Sequence, residues 1–284
     1  MFREEQGYPG GINGPGWQKE MAIKYTAGGG EKAFPQIGIW REHSNIFIPR
    51  MDTALNIHDA QVWGSYDHGH VNPCCYLVHL VYPRDQEVWY QTVWELYAPG
   101  LQVWEIAKII KGESHTTSDG REFKGNPFAG KELIKICDPE IDRRTQQTKG
   151  ESKRVIELFR EEGVIFTKGE SGDDLTVVDY MRGTLWRDPW HPHYQISDGC
   201  EHLIWELSKL QHKKKKTLAP QNEPEGFVDV DNHAFDAVKY FLKRFPMGNR
   251  EQGPVQKEGT FAWWMDLGRD PLHERVRPRY RRVG

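Results

Sequence analysis

The chain has 284 residues, with 38 Lys and Arg against 41 Asp and Glu and a net charge of −3. That length is enough to bury a full core, and the near balance of charge makes no overall demand for nucleic acid while leaving room for local basic stretches. No apolar run reaches the length of a membrane span, the polar segment 1–16 lacks the apolar centre of a signal peptide, and Cys74, Cys75, Cys137 and Cys200 form no C-x-x-C spacing, so a cytosolic protein with buried free thiols is expected.

The first 30 residues are Gly-rich without apolar periodicity and read as a leader anchored at Trp17. From Gln36 to Asp59, the runs Ile37-Gly-Ile-Trp and Ile46-Phe-Ile-Pro suggest short lead-in strands. Val62 to Tyr66 then reads as a strand ending at Asp67, followed by strands from Cys74 to Tyr82 and from Glu87 to Leu96. Their short connections predict an antiparallel meander. Val103, Ile106, Ala107, Ile109 and Ile110 have helical spacing, and the polar loop from Gly112 to Gly130 leads to a fourth strand, Leu133 to Cys137, which stops at Asp138-Pro139. A helix from Ser152 to Glu162 ends at Gly163, a fifth strand covers Val164 to Phe166, and Asp173 or Asp174 opens a helix through Leu185. Another helix, Cys200 to Leu210, precedes the basic run Lys213 to Lys216.

The last element is the most informative. Asp229-Val-Asp-Asn-His-Ala-Phe-Asp-Ala-Val-Lys-Tyr240 opens a helix that Asp231 or Asn232 can cap. Ala234, Ala237, Val238, Phe241 and Leu242 give it an apolar face, and His233, Asp236 and Tyr240 stack as a polar stripe along its border. The whole order describes an α/β fold, a mixed sheet of about five main strands with the first three antiparallel and the later ones parallel, flanked by helices.

Asp67 closes the first strand, Asp138 closes the fourth and Asp236 lies on the late helix. Open α/β sheets place their sites at strand carboxyl ends, so these acids can converge. Three buried carboxylates repel one another unless a cation neutralises them, and hard oxygen ligands favour Mg²⁺ or Mn²⁺ over zinc. Two such ions can clamp the attacking and leaving oxygens of a phosphodiester. No P-loop occurs, and no Ser-His-Asp or Cys-His arrangement is legible.

The order of elements and acids resembles the RNase H-like fold, and the motifs resemble the C-terminal nuclease domain of the large terminase subunit of tailed bacteriophages. The stretches that carry this are Gly64-Ser-Tyr-Asp-His-Gly-His-Val-Asn-Pro, Trp94-Glu-Leu-Tyr with Gly100, Ile136-Cys-Asp-Pro, Gly163-Val, and Asp231-Asn-His-Ala-Phe-Asp-Ala-Val-Lys-Tyr. The resemblance implies a nuclease that cuts concatemeric double-stranded viral DNA during genome packaging with Mg²⁺ or Mn²⁺. Asp67, Asp138 and Asp236 match its metal ligands, His233 matches the histidine one turn before the last acid, and Glu95 is an extra candidate ligand. The portal protein, the small terminase subunit and an ATPase motor domain are the implied partners, and the host cytoplasm, at the procapsid, is the implied location. Segment 1–58 then corresponds to a leader and motor-to-nuclease linker, 59–250 to the nuclease domain and 251–284 to a basic tail. A module that docks on the packaging motor with its nuclease latent, and another RNase H-like nuclease such as a resolvase, are the alternatives.

A nuclease must also hold a polyanion beside its acids. Lys213, Lys214, Lys215 and Lys216, together with Arg143, Arg144, Lys149 and Lys153, are the candidates for phosphate contact, against the plainer reading of solvated loops. The arginines of 269–282 form a basic arm. Most of the eleven tryptophans read as core, with Trp190 and Trp263 as candidates for base stacking.

Overall fold

The structure, a computed structural model, describes residues 29–50, 57, 59–84, 87–143, 145–148, 151–172, 174–213, 226–228 and 230–245. Its frame is a seven-stranded sheet. Three strands, β3 (Gln61–Asp67), β4 (Cys74–Arg84) and β5 (Glu87–Ala98), form the expected antiparallel meander. β8 (Glu132–Cys137) joins the outer side of β3 in parallel, and the short β11 (Thr167–Lys168) joins β8 in parallel. On the far side, β12 (Tyr194–Ser197) lies parallel to β5, and β2 (Phe47–Ile48) lies parallel to β12, giving the order β11-β8-β3-β4-β5-β12-β2. This is a mixed sheet with its first three strands antiparallel and its later ones parallel, as expected, extended by two strands beyond the five expected. The remaining strands form three small ribbons: β1 (Gly29–Lys32) with β13 (Gln211–Lys213), β6 (His115–Thr116) with β7 (Glu122–Phe123), and β9 (Thr145–Thr148) with β10 (Glu151–Arg154).

Successive side chains of a strand point to opposite faces, so the pleat sorts the core into two layers. Trp63, Cys75, Leu77, Val81, Tyr90 and Ile136 pack on one face with α4 (Asp174–Tyr180), α5 (Glu201–Lys209) and α6 (His233–Leu242). Val62, Tyr66, Tyr76, Val78, Leu96 and Cys137 pack on the other with α2 (Val103–Ile110) and α3 (Val155–Glu161). All four cysteines are buried free thiols, as expected. Gly64 is demanded by this second layer: a Cβ there would lie 2.1 Å from the Tyr76 hydroxyl. That hydroxyl crosses beneath β3 to donate to Glu132.

Several local expectations are corrected. Ile37-Gly-Ile-Trp belongs to a helix, α1 (Ile37–His43), because Ile37 and Trp40 face the core at a spacing of three while Ile39 stays 64% exposed. Residues 29–50 of the anticipated leader therefore form part of the same body and supply β2. The helix expected from Ser152 starts at Val155, since Ser152 to Arg154 pair with β9. Val164 and Phe166 are buried, but the ladder of the fifth strand begins one residue later, at Thr167. The helix expected through Leu185 leaves α-geometry after Tyr180 and continues as a π turn, Met181–Leu185. β12 answers to no expectation from the sequence.

Candidate active site

Asp67 is the last residue of β3, and Asp138 follows the last residue of β8. These neighbours run parallel with Tyr66 opposite Cys137, so the two acids leave the sheet side by side, and the Asp138 N–H donates to the Tyr66 carbonyl at 3.0 Å. The period of two places Asp67 on the face of Trp63 and Asp138 on that of Ile136, which is the face covered by α6. Both are nearly enclosed, with Asp67 5% and Asp138 3% exposed. Asp138 Oδ1 accepts from the Glu140 N–H at 2.8 Å, which turns the chain away from the strand.

His233, the first residue of α6, places Nδ1 2.9 Å from Asp67 Oδ2. Burial opposes charge on His233, but the hydrogen bond and the charge of Asp67 outweigh it and raise its pKa. Asp67 Oδ1 has no partner among the described residues. Asp236 sits one turn on. Its carboxyl is pushed up to about 6 by burial, with Asp67 adding to the rise and Lys239 opposing it. Its Oδ1 accepts from Lys239 and its Oδ2 accepts from Asn232 Nδ2 at 3.2 Å. Lys239 reaches Asp174 as well, at 2.9 Å.

What brings α6 here is a relay of acids the sequence did not disclose. Glu95 of β5 accepts from the His202 N–H at 3.1 Å, His202 Nδ1 at 2.7 Å and the Leu203 N–H at 2.8 Å, so it caps α5. The His202 ring stacks on Tyr97, with centroids 4.2 Å apart, and its pKa is raised because the Glu95 bond prevails over burial. Glu206 of α5 in turn accepts from the N–H groups of Ala234 and Phe235 at 2.7 and 2.9 Å, capping α6. Burial holds the Glu206 carboxyl well above the usual carboxylate range. The caps expected from Asp231 or Asn232 are not the ones used: Asn232 makes no side-chain cap, and Asp231 adopts a left-handed backbone (φ 50°) and pairs with Lys209 at 3.4 Å. Glu95, the extra candidate ligand, has both oxygens engaged in capping.

The candidate phosphate contacts divide. Arg143 is exposed five residues after Asp138 and pairs with Glu140 at 2.9 Å, and Lys213 is exposed at the end of β13. Lys153 pairs with Glu161 at 2.7 Å. Trp190 is 57% exposed. Arg144, Lys149, Lys214, Lys215, Lys216, Asp229, Trp263 and the tail 251–284 lie outside the described residues. A cavity of about 260 Å³ opens elsewhere, beside Trp94 and Glu95, with Arg50, Lys124 and Gly199 in its walls; none of Asp67, Asp138 and Asp236 lines it.

As these side chains stand, no group of three or more His, Cys, Asp or Glu among the described residues is gathered to hold a metal ion. Lys239 provides local positive charge beside Asp236, and His233 lies against Asp67. The donor chemistry still fits a hard divalent cation: the acids offer oxygen, one Asp67 oxygen is uncommitted, and the mutual repulsion of Asp67 and Asp236 is the condition a cation relieves.

Solved structures similar to this chain include phage large terminases. The large terminase of a thermophilic bacteriophage superposes with a TM-score of 0.47 at 17% identity, covering 70% of this chain and 42% of its own length. The nuclease domain of the P22 large terminase gives 0.47 at 10% identity, over 76% of this chain and 92% of that domain. The nuclease domain of the bacteriophage SPP1 large terminase, with bound Mn, gives 0.43 at 15% identity, over 68% and 92%. This chain thus spans about 42% of the length of the thermophilic phage protein. No family model matches the sequence, and no curated protein does. No helix among the described residues is long and apolar enough to cross a membrane.

Proposed function

We propose that this chain is a divalent-metal-dependent endonuclease that hydrolyses phosphodiester bonds of double-stranded viral DNA during genome packaging. The observation that carries the reading is the pair Asp67 and Asp138 at adjacent carboxyl ends of parallel strands, overhung by His233 and Asp236 of α6. We assign Asp67, Asp138 and Asp236 to the metal centre, with Mg²⁺ or Mn²⁺ as the ion. Such an ion would supply charge neutralisation at the phosphate and a more acidic attacking water. His233 orients Asp67 through Nδ1, leaving Nε2 to meet water or a phosphate oxygen. Arg143 and Lys213, with Arg144 and Lys214 to Lys216, are assigned to the DNA backbone, where contacts position the duplex without reading its sequence. Segment 59–250, with residues 29–50 packed into it, is the proposed nuclease unit, the rest of 1–58 the link to a motor and 251–284 a basic arm. The portal, the small subunit and a motor ATPase are the proposed partners, and the procapsid in the host cytoplasm is the proposed place of action.

The test is cleavage of supercoiled plasmid by the purified chain in Mn²⁺. Nicked and linear products should form, and EDTA should stop them. No product at any metal concentration would leave the chain as a docking module, and a strong preference for branched DNA would mark a resolvase.

A further inference from the structure

We infer that Lys239 is a resident cation standing in for a second metal ion, so that this centre loads a single divalent ion, held by Asp67 and Asp138. The inference rests on the nuclease reading above, departs from the two-ion expectation stated at the start, and makes Asp236 the carboxylate that holds Lys239 rather than a ligand of the ion.

The third acid differs from the other two in what surrounds it. Asp236 gives one oxygen to the Lys239 ammonium and the other to the Asn232 amide, so both oxygens are already engaged. Lys239 is only 9% exposed and is anchored a second time, to Asp174 on α4. A lysine so enclosed between two carboxylates makes charge-assisted bonds from a fixed position, and removing it would leave two half-buried like charges facing each other. A second divalent ion at Asp236 would have to displace that ammonium, break the Asn232 bond and accept a cation as its neighbour. Asp67 carries no such load, since its single partner is His233 and one oxygen is uncommitted among the described residues. The geometry of α6 fixes this arrangement, because Asn232, Asp236 and Lys239 follow one another at spacings of four and three and so share one side of the helix.

The test counts Mn²⁺ ions bound by the whole chain in the absence of DNA, by isothermal titration calorimetry and by loss of the free-ion signal in electron paramagnetic resonance. The wild type should bind about one ion per chain. Lys239→Met should bind about two, because it frees Asp236 and Asp174, and Lys239→Arg should return to about one, because a guanidinium can span both carboxylates. A lysine that merely supports the fold would not raise the count on removal. A wild-type count of two overturns the inference and leaves the nuclease reading standing; no binding at all overturns the nuclease reading itself. Should Lys239→Met fail to fold, Asp236→Asn decides: the count should stay at one with Kd changed less than about threefold, whereas a fall from two to one sinks the proposal.

Discussion

Two sets of acids share one face of the sheet and meet opposite fates. Glu95 and Glu206 are buried at the start of α5 and α6, where helix N–H groups bind both oxygens of Glu95 and Oε2 of Glu206. Asp67 and Asp138 are as deeply enclosed, but they stand where strands end, beside one imidazole and a backbone turn. The first set serves the architecture, while in the second Asp67 keeps one oxygen uncommitted among the described residues. Burial of a carboxylate therefore says little about function until its hydrogen-bond donors are counted.

Substitutions can break that contrast. Asp67→Asn and Asp138→Asn should each lower the plasmid cleavage rate by about a thousandfold or more, with the melting temperature unchanged or raised, since each removes a charge the fold does not need. A variant that keeps full activity would place the site elsewhere. His233→Ala removes the group that orients Asp67 and should weaken Mn²⁺ binding about tenfold to a hundredfold by calorimetry. Glu206→Ala strands two buried N–H groups and should cost about 1–3 kcal/mol in urea unfolding, taking activity down only with the fold.

The same carboxylate gives a sharper arm. The folded form holds the Glu206 proton more tightly than the unfolded chain does, so its contribution is fully present below the unfolded pKa and is lost as pH rises through the folded one. Glu206→Gln keeps the acceptor without the charge, and should leave stability unchanged near pH 5 and raise it modestly at pH 8. His79 runs the other way. It is buried between Ser65 and Thr92 and stacked on Phe241, and burial lowers its pKa to about 3. Its contribution is fully present above the unfolded value near 6.5 and is lost as pH falls toward 3. His79→Gln should flatten the acid limb of the unfolding curve.

Much of the frame was legible because it depends on local pattern. The apolar run from Cys74 to Tyr82 and the turn at Asp138-Pro139 define a buried strand and a strand exit without help from distant residues. Asp67, Asp138, His233 and Asp236 could be picked out because they end or open such elements, and the structure brings Asp67 into contact with His233 and into charge range of Asp236. The caps were not legible, since Glu206 is 28 residues from the N–H group of Ala234 that it satisfies and no local rule links them. β12 hides for a related reason: Tyr194–Ser197 alternates apolar and polar over only four residues, too short a run to stand out, and becomes a strand by pairing with Tyr90 to Thr92. Lys239 lay within reach, three residues after Asp236 on a helix already recognised, but its second anchor on Asp174 required the fold.

The bond between His233 and Asp67 joins residues 166 apart in sequence. A ribosome delivers β3 and β8 long before α6, whose opening N–H groups find their partner in Glu206 of α5. A contact that closes so long a loop is expected to form late. A chain halted before residue 230 would carry Asp67 and Asp138 without their overhanging helix. Under the proposed function, hydrolytic capacity would then coincide with completion of the fold, and an unfinished chain would do no damage to the DNA around it.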